Sequence, residues 1–186
     1  MAKRKKTSFT NEHSTINDVE GYYVDSEASL KLFYNVNLQN SPIPARFFGY
    51  SKNEIFDELK ERKETLDRMC SLELLAAIEA RIRVDYLVRC QNKLKDALSR
   101  DLRLVYSKKE NKASLKDDII SAWKIKHPNH KEILDNFGKS LDYRNWLAHG
   151  RYWLPKKAPH IYRYDYLTIY TLAHDIFSNM ELLEGT

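Results

Sequence analysis

Residues 142–150 read Asp142-Tyr143-Arg144-Asn145-Trp146-Leu147-Ala148-His149-Gly150, gathering a guanidinium, an amide and an imidazole within one short stretch. The chain holds 12 Arg, 12 Asn and 6 His. An Arg followed by four residues and a His is then expected by chance about 0.4 times, and requiring Asn directly after the Arg lowers that to about 0.03. The three together are a usable signal where the pair alone is not. They are compatible with metal-free RNA cleavage. RNA is cut without metal when a base takes the proton of its 2′-hydroxyl, the oxygen attacks the adjacent phosphate, and a cation stabilises the dianionic transition state. His149 supplies the base and Arg144 the cation, whose planar fork matches phosphate oxygens in a way lysine does not. Asn145 has the reach to bond the phosphate, the ribose or the histidine ring. The expected products are a 2′,3′-cyclic phosphate and a 5′-hydroxyl, and deoxyribose would not react. The plain alternative pairs Arg144 with a neighbour such as Asp142 and leaves His149 at a helix end.

Other candidates carry less. Glu79 lies among apolar neighbours, either as an i,i+4 partner of Arg83 or as a group orienting the active site. His127 and His130 flank Pro128-Asn129, but no Cys or nearby second pair completes a metal set, so a helix-start role is the better reading and no metal or other cofactor is expected. Cys70 and Cys90 stand twenty residues apart in one helical pattern. That is roughly 30 Å along the axis, beyond disulfide reach. They read as packed thiols in a reducing cytoplasm. Residues 143–170 hold eight aromatics interleaved with Arg144, Arg151, Lys156, Lys157 and Arg163, against Asp165 as the one acid. The 12% average would put about three there. Bases stack on aromatic faces while cations hold phosphates, which suits single-stranded RNA. Arg151, Tyr152, Trp153, Lys156 and Lys157, in an irregular segment beside the motif, are the RNA-contact candidates; Trp146 and Tyr170 are assigned to packing.

Helices must position these groups. Ser51-Lys52-Asn53-Glu54 is a capping box that starts a helix over about 52–66. Leu72, Leu75, Ala76, Ile78, Ile82, Tyr86 and Leu87 continue a helical period with no Gly or Pro from Leu66 to Tyr106, giving a long central helix with a break near Ser99. Lys108 to Ala113 reads as a loop. Ser114 caps a short helix that ends before Pro128, and Asn129 with Glu132 caps the motif helix, which turns Ile133, Leu134, Phe137, Leu141, Trp146 and Leu147 inward and ends at Gly150. A terminal helix runs from about Asp165 to Leu183, with Leu167, Tyr170, Leu172, Ala173, Ile176 and Phe177 available to the core. Between Glu20 and Tyr50 the pattern is ambiguous, with Ser26 to Asn37 one candidate helix.

Arg144-Asn145-Trp146-Leu147-Ala148-His149-Gly150 resembles the signature of the HEPN superfamily, helical-bundle proteins whose nuclease members carry an Arg, four to six residues and a His, commonly with Asn after the Arg. Leu72 to Arg89, with Glu79, is similar to the preceding long helix of abortive-infection members, and the resemblance spans about 66–155. It implies a metal-independent endoribonuclease, usually a homodimer, acting as a toxin or antiviral-defence effector alongside an antitoxin or other regulatory partner. Members paired with a nucleotidyltransferase antitoxin carry Tyr two residues after the His. Here that position is Arg151, and Tyr152 comes one later. A catalytically inactive HEPN-like RNA-binding or protein-interaction module is the alternative.

Composition agrees with an all-α chain. Five Gly and five Pro in 186 residues are too few for a sandwich, a propeller or a nucleotide-binding sheet, and no phosphate-loop motif occurs. A charged fraction of 31% beside 42% hydrophobic residues is the mixture of amphipathic helices, and about five or six of them form the expected bundle. The net charge of +5 permits an anionic partner. Lys3, Arg4, Lys5 and Lys6 make residues 1–20 a mobile basic arm ahead of a single domain over 21–186. No apolar h-region follows them, and no apolar run approaches membrane-spanning length, so a cytoplasmic protein is expected.

Overall fold

Five helical segments begin where a side chain reaches forward to a free amide of the first turn. In the computed structural model, which describes residues 13–35, 44–155 and 159–184, the Thr15 hydroxyl accepts from the Asp18 N–H at 3.2 Å and the Ser51 hydroxyl from that of Glu54 at 3.3 Å. Asp96, Ser114 and Asp165 do the same for Ser99, Asp117 and Thr168. The helices are α1 (Ile16–Phe33), α2 (Lys52–Gln91), α3 (Ala97–Lys109), α4 (Ser121–Lys126), α5 (Lys131–Ala148) and α6 (Tyr166–Asn179). A single π-helical turn, Leu115–Ile120, leads into α4, and short 3-10 turns join the others. No strand occurs among the described residues, so the chain is an all-α bundle. None of these helices is long and apolar enough to cross a membrane.

α2 is the axis. Leu66, Cys70, Leu74, Ile78, Ile82, Tyr86 and Cys90 are all buried and recur at every fourth residue. A four-residue repeat outruns the 3.6-residue turn by about 40° per step, so the buried stripe winds around α2 by about 240° over this stretch. Its C-terminal half therefore needs cover from several sides, and α1, α3, α5 and α6 all pack on it. Trp123 of α4 and Phe137 of α5 complete the main core. A smaller core of Tyr34, Phe47 and Ile55 sits where the first turns of α2 meet the end of α1, capped by the Arg46 guanidinium, which lies over the Phe47 ring at 5.0 Å and pairs with Glu58.

Several boundaries differ from the sequence expectations. The helix starting at Lys52 and the central helix are one element, because nothing at Leu66 interrupts the backbone. The break comes at 92–96, where Lys93 adopts φ +54° and Asp96 starts α3, leaving Ser99 inside its first turn. α1 begins at Ile16, within the stretch assigned to the arm, and ends at Phe33. Lys3 to Lys6 lie outside the described residues. Lys108 and Lys109 extend α3, and 110–112 form a 3-10 turn. Asn129 caps nothing: Pro128–His130 is a 3-10 turn whose Asn129 amide lies against the His130 ring, and α5 starts at Lys131 without a side-chain cap. Leu167 is exposed, since its place in the first turn of α6 faces away from the bundle.

Candidate active site

The motif occupies the last turn of α5 and its exit. His149 is the capping residue, and its backbone N–H donates to the Asn145 carbonyl at 3.0 Å. The Gly150 N–H then donates to the Leu147 carbonyl at 3.1 Å and that of Arg151 to the Trp146 carbonyl at 3.0 Å, the crossed pair that closes a helix on a left-handed residue. Gly150 has φ +75°, which a residue without Cβ reaches freely. The chain doubles back so that the Trp146 indole N–H donates to the Trp153 carbonyl at 3.0 Å. Trp146 thus packs as expected and also fastens the loop.

Arg144 turns toward α2. Its Nη2 lies 3.4 Å from Glu79 Oε2, its Nη1 donates to Asn145 Oδ1 at 3.3 Å, and its Nε is buried with no hydrogen-bond partner among the described residues. Glu79 Oε1 in turn accepts from Arg83 Nε at 2.8 Å. Glu79 therefore makes the i,i+4 pair with Arg83 and also lies against the motif arginine. Asp142 is not the partner of Arg144. It lies 3.3 Å from His160 Nε2, which makes no hydrogen bond among the described residues, and 3.9 Å from Lys116 Nζ.

His149 is exposed, and its ring lies 6.0 Å from that of Trp153 with no hydrogen bond among the described residues. Asn145 is exposed, with its amide oxygen on Arg144 rather than on the imidazole. Within one chain the guanidinium and the imidazole are thus held by different neighbours. Arg151 and Tyr152 project outward, Tyr152 at 84% exposure, while Trp153 is half-buried with its ring edge-on to Tyr152 at 4.9 Å. Lys156 and Lys157 lie outside the described residues.

The aromatic excess divides in two. Tyr143 stacks with Trp146 and Tyr164, and Tyr166 stacks on Tyr23 of α1 at 3.7 Å, so these rings pack helices. Burial pushes the Tyr143 and Tyr164 phenols up, keeping them uncharged. Tyr152 and Tyr162 face outward. His127 packs its ring 4.9 Å from Trp123, with His130 beside it. Among the described residues no group of three or more His, Cys, Asp or Glu is placed to hold a metal ion. Cys70 and Cys90 are buried and unbridged, and burial pushes their thiols up to about 11 and about 12, which leaves them protonated and unreactive.

Sequence reasoning passed over the Glu79–Arg144 contact, the approach of Asp142 to His160 and the Trp146 tether. Each joins residues distant along the chain or across a loop, where no local period marks them. Comparisons with protein-family models, with curated proteins and with solved structures found no match.

Proposed function

We propose that this chain is a metal-independent endoribonuclease of the HEPN type, acting as a toxin or antiviral-defence effector on RNA. The observation that carries the reading is the end of α5, where Arg144, Asn145 and an exposed His149 all fall within the last two turns and the exit, on different flanks, beside an outward Arg151 and Tyr152. In this reaction the His149 imidazole takes the 2′-hydroxyl proton and O2′ bonds to the adjacent phosphorus. Arg144 holds the non-bridging oxygens as charge builds on them. The bond to O5′ breaks, and that oxygen takes a proton from solvent water and leaves as the 5′-hydroxyl, while His149 returns its proton to solvent, producing a 2′,3′-cyclic phosphate. Glu79 keeps the guanidinium oriented between turnovers. Tyr152 and Trp153 offer faces on which unpaired bases stack.

The test is cleavage of a labelled single-stranded RNA, with the ends identified and a deoxy-substituted control. His149→Ala should lower the rate by about 10² to 10⁴, the usual worth of a general acid or base, with an unchanged circular dichroism spectrum. Cleavage should persist in excess chelator, because neither the nucleophile nor the charge stabilisation comes from a metal. Unchanged cleavage by clean His149→Ala protein would overturn the catalytic reading, and salt-dependent RNA binding without cleavage would select the inactive RNA-binding alternative.

A further inference from the structure

We infer that Arg83 is a second phosphate-gripping residue of this site, holding the phosphate next to the one engaged by Arg144. The inference rests on the RNA-cleaving reading and names how that site holds its substrate. Two guanidiniums share one carboxylate: Arg83 on Glu79 Oε1 at 2.8 Å and Arg144 on Oε2 at 3.4 Å. One glutamate neutralises one arginine, so the trio carries a net positive charge. It does so partly out of water, with the three side chains 37%, 20% and 34% exposed in the order Arg83, Glu79, Arg144. Such a trio gains from an anion.

Their hydrogen-bonding capacity is also unspent. Arg83 uses Nε on Glu79 and Nη1 on the Ala113 carbonyl at 3.3 Å, which leaves Nη2 without a hydrogen bond among the described residues. Arg144 makes one long bond from Nη1 and only a 3.4 Å approach from Nη2, so its Nη groups keep donors, while its Nε is buried out of a phosphate's reach. Each guanidinium therefore keeps donors for a phosphate oxygen while Glu79 holds the two apart at a fixed spacing. The spacing is rigid because Arg83 projects from the well-packed last third of α2, one turn before Tyr86, whose hydroxyl donates to the Glu110 carbonyl at 2.9 Å. An ion pair serving stability alone would need one arginine on Glu79. With Arg144 serving the reacting phosphate, Arg83 stands beside it for the next phosphate along a repeating polyanion.

The experiment uses the full chain and a defined single-stranded RNA, comparing wild type with Arg83→Met and Arg83→Lys, all in parallel with His149→Ala. Loss of one phosphate contact should lower the slope of log affinity against log salt by about 0.7. For Arg83→Met, KM should rise about tenfold, with the loss falling on KM more than on kcat. Arg83→Lys should restore the salt slope, since it restores the charge. An unchanged slope and KM in Arg83→Met protein of normal thermal midpoint would overturn the inference while wild-type cleavage leaves the catalytic reading standing. A wild type that neither binds nor cleaves RNA would overturn both. Equal loss of binding in Arg83→Met and Arg83→Lys would also overturn it, by assigning Arg83 to the fold alone.

Discussion

Arg151 holds a backbone conformation its side chain does not favour. It follows Gly150 at φ +75° and itself adopts φ +59°, where a residue with a Cβ carries roughly 1–2 kcal/mol of strain. Two successive left-handed residues reverse the chain sharply enough for Trp146 to reach the Trp153 carbonyl. The strain is maintained by the crossed helix-end bonds and that tether. Replacing Arg151 by Gly relieves it but frees the unfolded chain, which offsets about 0.5–1 kcal/mol. The net expectation is a gain of about 0.5–1 kcal/mol, seen as a rise of about 2 °C in Tm. The same variant should bind RNA more weakly, because it removes a cation beside the motif. A fall in Tm would mean that the Arg151 side chain supports the fold. Gly150 was legible in the sequence, since a glycine after the last periodic residue marks a helix end. The left-handed Arg151 was not, because nothing in an arginine's identity signals it.

At the scale of elements, legibility follows capping chemistry and fails where distant segments decide. Ser51 and Ser114 announce their helices, and the structure places segment starts after both. Thr15 and Asp18 form a capping box as well, but the lysines ahead of them draw attention to charge, and the helix that follows reads as ambiguous. The end of α6 shows the opposite limit. After Asn179 the chain leaves the helix, and the Leu183 N–H donates to Asp85 Oδ1 at 2.9 Å while Arg89 donates to the Glu181 carbonyl at 3.1 Å. Asp85 and Arg89 form a buried pair at 2.7 Å on α2, with the Arg89 guanidinium 5.3 Å from the Trp123 ring. No pattern along the chain links positions so far apart. Burial, the largest influence, pushes the Asp85 carboxyl up, against the Leu183 N–H and Arg89, which hold it down. A raised carboxyl supports folding most below its unfolded value near pH 4, about 3.9, and that support fades as pH rises through the raised value. Arg89→Met leaves Asp85 buried without its cation and should cost about 3–5 kcal/mol at pH 7. The deficit should shrink on acidification, as Asp85 takes up a proton. Adding Asp85→Leu to Arg89→Met should recover much of the loss, and urea midpoints of both variants at two pH values decide it. A deficit that stays constant with pH would show that Asp85 is not the group left uncompensated.

In the whole molecule, helix geometry separates the guanidinium and the imidazole of the motif. Five positions at about 100° each place Arg144 and His149 roughly 140° apart around α5. Ending the helix at Ala148 does not bring them together: Arg144 lies against Glu79 on α2, and His149 leans toward Trp153 in the loop. A single copy thus presents the Arg144 guanidinium on one flank and the His149 imidazole on another. A two-fold pair of chains resolves this when α5 faces its counterpart, because each Arg144 can then serve a phosphate attacked with help from the partner's imidazole. On the proposed reading such a pair would complete the site, and the outward Arg151 and Tyr152 would line its edge. The consequence is genetic complementation in a tube. Arg144→Ala and His149→Ala proteins are each expected to be inactive, and mixing them under conditions that exchange subunits should restore cleavage. With random pairing half the dimers are mixed and each has one intact site of two, so about a quarter of wild-type activity should return. The measurement needs two readings, RNA cleavage and the fraction of heterodimer by mass. Heterodimers without activity would show that each site draws both residues from one chain, which would require Arg144 to leave Glu79 and swing toward His149 when RNA binds.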